Sequence, residues 1–113
     1  MEIKRGELYY VDLEPTRASK TKKNRRPCVV VSSNAINIAA QLIIICPITE
    51  SYNKFSPIHI KISAGTGGLK KESVVHCGQV RSIDKSRIGN KLGKIDAQLM
   101  EEISKGLILA LTI

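Results

Sequence analysis

A chain of 113 residues has room for a single domain, residues 1–113, and for no second core. With 42% hydrophobic and 25% charged residues it falls within ordinary globular usage, which excludes general disorder. The net charge of +8 favours a polyanion or an acidic protein as partner without choosing between them.

Gly6 to Leu13 is rich in β-formers, ends at Pro15 and predicts a first strand. Pro15 to Arg26 is a polar loop, long for a compact domain, which points to a functional role. Pro27 to Ser32 and Leu42 to Ile48 are continuous apolar runs of the kind buried strands carry, with a short helical turn at Asn34 to Ala40 between them. A second loop spans Glu50 to Ser56. Ile58, Ile60 and Ile62 then alternate with His59 and Lys61, as in a half-exposed strand. A glycine turn at Ala64 to Lys71 leads into a strand at Ser73 to Val80. A turn near Asp84 to Arg87 and a short strand at Gly89 to Ile95 follow. Asp96 is a suitable N-cap for a closing helix, where Leu99, Ile103, Leu107 and Leu111 recur every fourth residue. Leu107 to Leu111 is apolar almost all round, so a neighbouring element or subunit should cover it. Gly106, inside that helix, predicts close packing. Short strands and one terminal helix predict a small, strongly bent sheet or barrel, and in so short a chain dimerisation would supplement a modest core.

The cations are not spread evenly. Arg17, Lys20, Lys22, Lys23, Arg25 and Arg26 crowd the first loop with no acid among them, and Arg81, Lys85, Arg87, Lys91 and Lys94 follow with only Asp84 interposed. Two such clusters favour nucleic acid over a merely solvated face. Cys28, Cys46 and Cys77 are odd in number, widely spaced and set in apolar runs. They fit neither a zinc site nor a disulfide framework, and predict buried thiols in a reducing compartment. The longest apolar runs are too short to span a bilayer, and the first residues lack the apolar stretch of a signal peptide, which predicts a soluble, cytoplasmic protein.

Several candidate sites are weak. The stretch Ala64 to Lys71 looks like a phosphate-cradling loop but runs into a strand rather than a helix, so a hairpin turn is the better reading. His59 and His76 have no acidic sequence neighbours and read as structural. The acids are scattered singly except for Glu101 and Glu102, which a helix points about 100° apart, so no metal or cofactor is expected. Phosphodiester chemistry without a metal must use the 2′-hydroxyl of the substrate itself, which requires RNA rather than DNA.

RGELYYVDLEP (Arg5 to Pro15), RPCVVVS (Arg26 to Ser32), PIT (Pro47 to Thr49), GGLKKESVV (Gly67 to Val75) and QVRSIDKSRI (Gln79 to Ile88) resemble, in order and spacing, the MazF/PemK toxins. The resemblance runs from about Lys4 to Leu111. It implies an SH3-like barrel of the CcdB/MazF type that forms a homodimer. It implies an endoribonuclease cutting single-stranded RNA, messenger RNA above all, at short sequences, and a cognate acidic antitoxin of the MazE kind competing for the same surface. The family's catalytic arginine and threonine fall on Arg26 and Thr49. Arg26, permanently cationic, suits a clamp on the phosphorane oxygens or a simple phosphate contact, and Thr49 can hydrogen-bond a phosphate oxygen or the 2′-hydroxyl. The products would be a 2′,3′-cyclic phosphate and a 5′-hydroxyl end. Ser19, Lys20, Lys22, Lys23, Arg25, Tyr52, Phe55, Gln79, Arg81 and Lys85 are the candidate RNA contacts, with the two aromatics placed to stack a base. Many relatives carry Gly-Ser-Glu where this chain has Ala18-Ser19-Lys20, so an acid that could serve as base is replaced by Lys20 and the base stays unassigned. A gyrase poison on the same barrel would need the tryptophan-containing end of CcdB, and this chain has no Trp. A non-catalytic RNA-binding module would have no use for Arg26 and Thr49 together.

Overall fold

The apolar runs pair as their lengths and alternation require. A computed structural model describes residues 2–13, 25–50 and 56–113. Its strands are β1 (Glu7–Asp12), β2 (Arg25–Val30), β3 (Leu42–Thr49), β4 (His59–Ile62), β5 (Ser73–His76), β6 (Arg81–Asp84) and β7 (Ile88–Lys94), with helices α1 (Asn34–Ala39) and α2 (Ala97–Leu111). All the pairings are antiparallel, in the order β4-β5-β3-β2-β1-β7, and β6 lies beside β3.

Strand β3 is the hub. Its first half pairs with β6, from Leu42↔Asp84 to Ile45↔Arg81, and its last two residues pair with β5, at Ile48↔Val75 and Thr49↔Val74. One strand serving two partners along one edge bends the sheet sharply at its middle. Successive side chains point to opposite faces, so the bent sheet has a core on each. Leu8, Val29, Cys46, Ile48, Val75 and Ile103 pack on one face; Tyr9, Val11, Cys28, Val30, Ile43, Ile45 and Ile83 pack on the other. The three cysteines are free and buried, as their apolar settings predict.

Ser73 to Val80 is not one strand. A 3-10 turn at Cys77–Gln79 divides it, and Arg81–Asp84 becomes a separate strand that runs from the middle of β3 to its beginning. The expected turn after Asp84 is present as a 3-10 turn at Lys85–Arg87, capped by the Asp84 carboxylate, which accepts from the Ser86 amide at 2.8 Å. The glycine stretch lies between β4 and β5, a hairpin connection as expected. Gly68, at φ +85°, lies so close to β7 that an added Cβ would fall 2.2 Å from the Leu92 carbonyl oxygen.

Asp96 caps α2 by accepting from the Leu99 amide at 2.8 Å. Gly106 is the close approach anticipated: a Cβ there would meet Cys77 Sγ at 2.8 Å. The apolar stripe does not run to the end. Leu99, Ile103 and Leu107 pack on the core, but Leu111 is exposed and Ala110 takes the inward position. A four-residue step advances about 40° beyond a full turn, so the fourth member has rotated off the core. Ile108, Leu109, Leu111 and Ile113 therefore stand exposed on this chain. No helix among the described residues is long and apolar enough to cross a membrane.

Candidate active site

Two prolines open the cleft. The β2–β3 ladder runs through Val30↔Ile45 and Val29↔Cys46 and stops at Cys28↔Pro47. Pro47 stands in that last pair and Pro27 just beyond it, neither with an amide hydrogen to donate. The two strands part there. β2 stays with β1, through Val11↔Arg26 and Asp12↔Arg25, while β3 stays with β5 through Thr49↔Val74. Arg26 and Thr49 each lie two residues past Cys28↔Pro47, one on each of the diverging strands.

Between them is an open cavity of about 380 Å³. Pro27, Ile48 and Leu69 give it apolar walls; Arg26, Thr49, Glu50, Lys70, Lys71 and Ser73 give it chemistry. The last three come from the segment after the glycine turn, which packing of Gly67 and Gly68 against Leu92 and Gly93 folds back towards the cleft. Ser73 is buried and its hydroxyl donates to the Lys71 carbonyl at 2.9 Å, fixing the corner that presents the two lysines. Lys71 Nζ stands 3.9 Å from Glu50 Oε1, both side chains well exposed. Among the described residues the Arg26 guanidinium forms no ion pair. The thiol of Cys28 lies within the field of both Arg81 and Arg26; burial nevertheless pushes it up to about 12, so it stays protonated and is no nucleophile.

The sequence candidates separate in space. Arg26 and Thr49 share the cleft. Arg81, opposite Ile45, shares the Arg26 face near Cys28. Gln79 is exposed in the 3-10 turn linking β5 to β6. Arg25 is turned away: as Arg26's strand neighbour it faces the other side, and its Nη1 would sit 2.9 Å from a Cβ at Gly89. Lys85 lies beside Ile3, Asn37 and Ile38, at the Leu42 end of β3, seven residues or roughly 24 Å along the strand from Thr49. Ser19, Lys20, Lys22, Lys23, Tyr52 and Phe55 lie outside the described residues.

The second basic cluster is not the nearly unopposed patch its sequence suggests. Lys91 Nζ bonds Glu7 Oε2 at 2.6 Å and Arg87 Nη1 approaches Asp12 at 3.6 Å, because β7 runs antiparallel to β1 and brings its cations onto that strand's acids. His59 and His76 form a cross-strand pair, rings edge to face with centroids 4.4 Å apart, and neither lines the cleft. Burial, then the neighbouring His59, depresses the His76 pKa. Glu50, Lys70, Lys71 and Ser73 are the cleft residues that sequence reasoning missed. The paired lysines after the glycines were a visible signal, but their reach to Arg26 depends on how the hairpin folds back.

A small, basic, bent antiparallel sheet with a C-terminal helix, in which an arginine and a threonine line one cleft where two strands part, defines a class of cationic clefts. Residues 4–111 match the PemK-like, MazF-like toxins of type II toxin–antitoxin systems, and the chain belongs to that family. It is 31% identical over 114 residues to the endoribonuclease EndoA of Bacillus subtilis (strain 168), covering 100% of this chain and 97% of the relative. It is 33% identical over 114 residues to the endoribonuclease MazF9 of Mycobacterium tuberculosis, covering 96% of each. The MazE–MazF crystal structure from Deinococcus radiodurans has the same fold, with a TM-score of 0.79, 23% identity and coverage of 100% of this chain and 98% of that one.

Proposed function

We propose that this protein is an endoribonuclease toxin that cuts single-stranded RNA, messenger RNA in the first place, through attack of the substrate's own 2′-hydroxyl. The observation carrying this reading is the juxtaposition of Arg26 and Thr49 in one cleft of a MazF-family fold. Arg26 clamps the non-bridging oxygens as charge builds on phosphorus. A donor of that kind lowers the barrier by about 2.7–4 kcal/mol where its geometry is set beforehand. Thr49 orients a phosphate oxygen or the attacking hydroxyl, and Lys70 and Lys71 hold the flanking backbone. Cleavage leaves a 2′,3′-cyclic phosphate and a 5′-hydroxyl.

The partners follow from the same surface. An acidic antitoxin segment, of the kind implied by the MazE complex, competes with RNA for the cations of the cleft. The exposed apolar end of α2 supports a homodimer that covers Ile108, Leu109 and Leu111. The test is a gel assay of the purified protein on a long unstructured RNA in EDTA, beside Arg26→Ala, with end analysis. Discrete cuts with 5′-hydroxyl ends, absent in the variant, are expected. RNA bound but left intact would replace this reading with that of an RNA-binding module.

A further inference from the structure

Attack by a 2′-hydroxyl needs a group to take its proton, and we propose that Glu50 is the general base of this cleft. The inference rests on the RNA-cleaving reading above. The other cleft groups cannot do it. Arg26 is permanently protonated, and the ammonium groups of Lys70 and Lys71 are donors with no acceptor. The Ser73 hydroxyl is buried and committed to the Lys71 carbonyl. Among the described residues Glu50 is the one carboxylate lining the cavity, next to Thr49 in sequence and exposed to whatever enters.

Of the segments flanking the cleft, residues 51–55 contain no acid and residues 14–24 contain one, Glu14, so Glu14→Gln belongs in the test as the rival, and a rate loss there in place of Glu50→Gln would overturn the assignment. Lys71, 3.9 Å from Glu50, is placed to hold the carboxylate over the cavity while contacting a phosphate itself. Glu50 takes the proton of the 2′-hydroxyl, O2′ bonds to phosphorus, and the P–O5′ bond breaks with its electron pair passing to O5′. That oxygen takes a proton from water, and the glutamic acid returns its proton to solvent.

The test measures single-turnover cleavage and RNA binding for the wild type, Glu50→Gln, Glu50→Ala, Glu14→Gln and Lys71→Met. Removal of a general base costs about 10²- to 10⁴-fold in rate. Glu50→Gln should therefore cut at least 100-fold more slowly at saturating RNA, yet bind RNA as tightly or more tightly, because a negative charge has left the phosphate's surroundings. Formate should restore part of the rate to Glu50→Ala and leave Glu50→Gln unaffected. Lys71→Met should weaken binding and lower the saturated rate by less than Glu50→Gln does, since it positions the carboxylate without taking the proton. Cleavage by Glu50→Gln within threefold of the wild type would overturn the assignment, as would a rate loss in Lys71→Met equal to that of Glu50→Gln, which would make the ion pair structural. A wild-type protein that leaves RNA intact would remove the RNA-cleaving reading itself, which separates the two failures.

Discussion

The two ends of β2 both gather cations and treat them differently. At the Val30 end, the Arg5 guanidinium donates to the Val31 carbonyl and, at 2.9 Å, to Ser104 Oγ. Lys91 is bonded to Glu7, which also accepts from the Tyr9 hydroxyl at 2.8 Å and the Lys4 amide at 2.7 Å. At the Arg26 end, Arg26 and Arg81 form no ion pair among the described residues, and Lys71 has only a long approach to an exposed carboxylate. The larger cavity, about 530 Å³ against about 380 Å³, is at the Val30 end, yet two of its cations are already engaged. Volume is the poorer guide here. Among the described residues, what distinguishes the Arg26 end is cations without an ion-pair partner, whereas charge satisfied by the protein holds strands together.

The contrast can be broken most directly at Arg26. Arg26→Ala should lower the RNA cleavage rate by about 10²- to 10³-fold while changing stability by no more than about 0.5 kcal/mol, since the side chain is exposed. Cleavage kinetics and a urea melt of the same preparation decide it, and a large loss of stability would show that Arg26 holds the sheet instead.

Glu7 should behave in the opposite way. Glu7→Gln should cost about 2 kcal/mol, because a buried group that accepts from three donors loses its charge. The specific activity of the folded fraction should stay unchanged. Burial pushes the Glu7 carboxyl up, but its bonds from Lys91, Tyr9 and the Lys4 amide outweigh burial and hold it below the usual carboxylate range. A depressed folded-state pKa gives stability that is present above the unfolded value and is lost as pH falls through the folded one. Urea melts across the acid range should show that loss in the wild type and a shallower one in Glu7→Gln.

Two smaller effects sharpen the map of the basic surface. Arg81→Ala should weaken RNA binding evenly across sequences and reduce the salt slope by about 1. Lys85→Ala, at the far end of β3, should leave both affinity and slope unchanged when filter binding is repeated over a range of salt. An effect at Lys85 as large as that at Arg81 would extend the functional surface along the whole of β3.

Much of this was legible in the chain. Runs such as Pro27 to Ser32 and Leu42 to Ile48 are buried strands, Asp96 caps the helix, and the five blocks that resemble the MazF/PemK toxins include both Arg26 and Thr49. What escaped was set by tertiary geometry. Gly78 and its neighbours form a 3-10 turn inside what reads as one apolar strand, because β5 and β6 meet different halves of β3. Arg25 and Arg26, adjacent in sequence, part because a strand sends neighbours to opposite faces. Lys91 and Arg87 lose their apparent freedom only once β7 lies beside β1. Glu50 reads as an ordinary loop residue until the hairpin after Gly68 brings Lys71 across from it.

The dependence of the cleft on β3 has a consequence for synthesis of the protein. Arg26, Thr49 and Lys71 come from three separate stretches, and no single hairpin holds them all. β1 completes its pairing only with β7, some eighty residues later in the chain. While the chain is still emerging from a ribosome, Arg26 is translated well before Thr49, Lys71 and the closing strand β7 exist to meet it. The proposed cleft is therefore incomplete on the nascent chain, and assembles only after nearly all of its strands have cleared the exit tunnel.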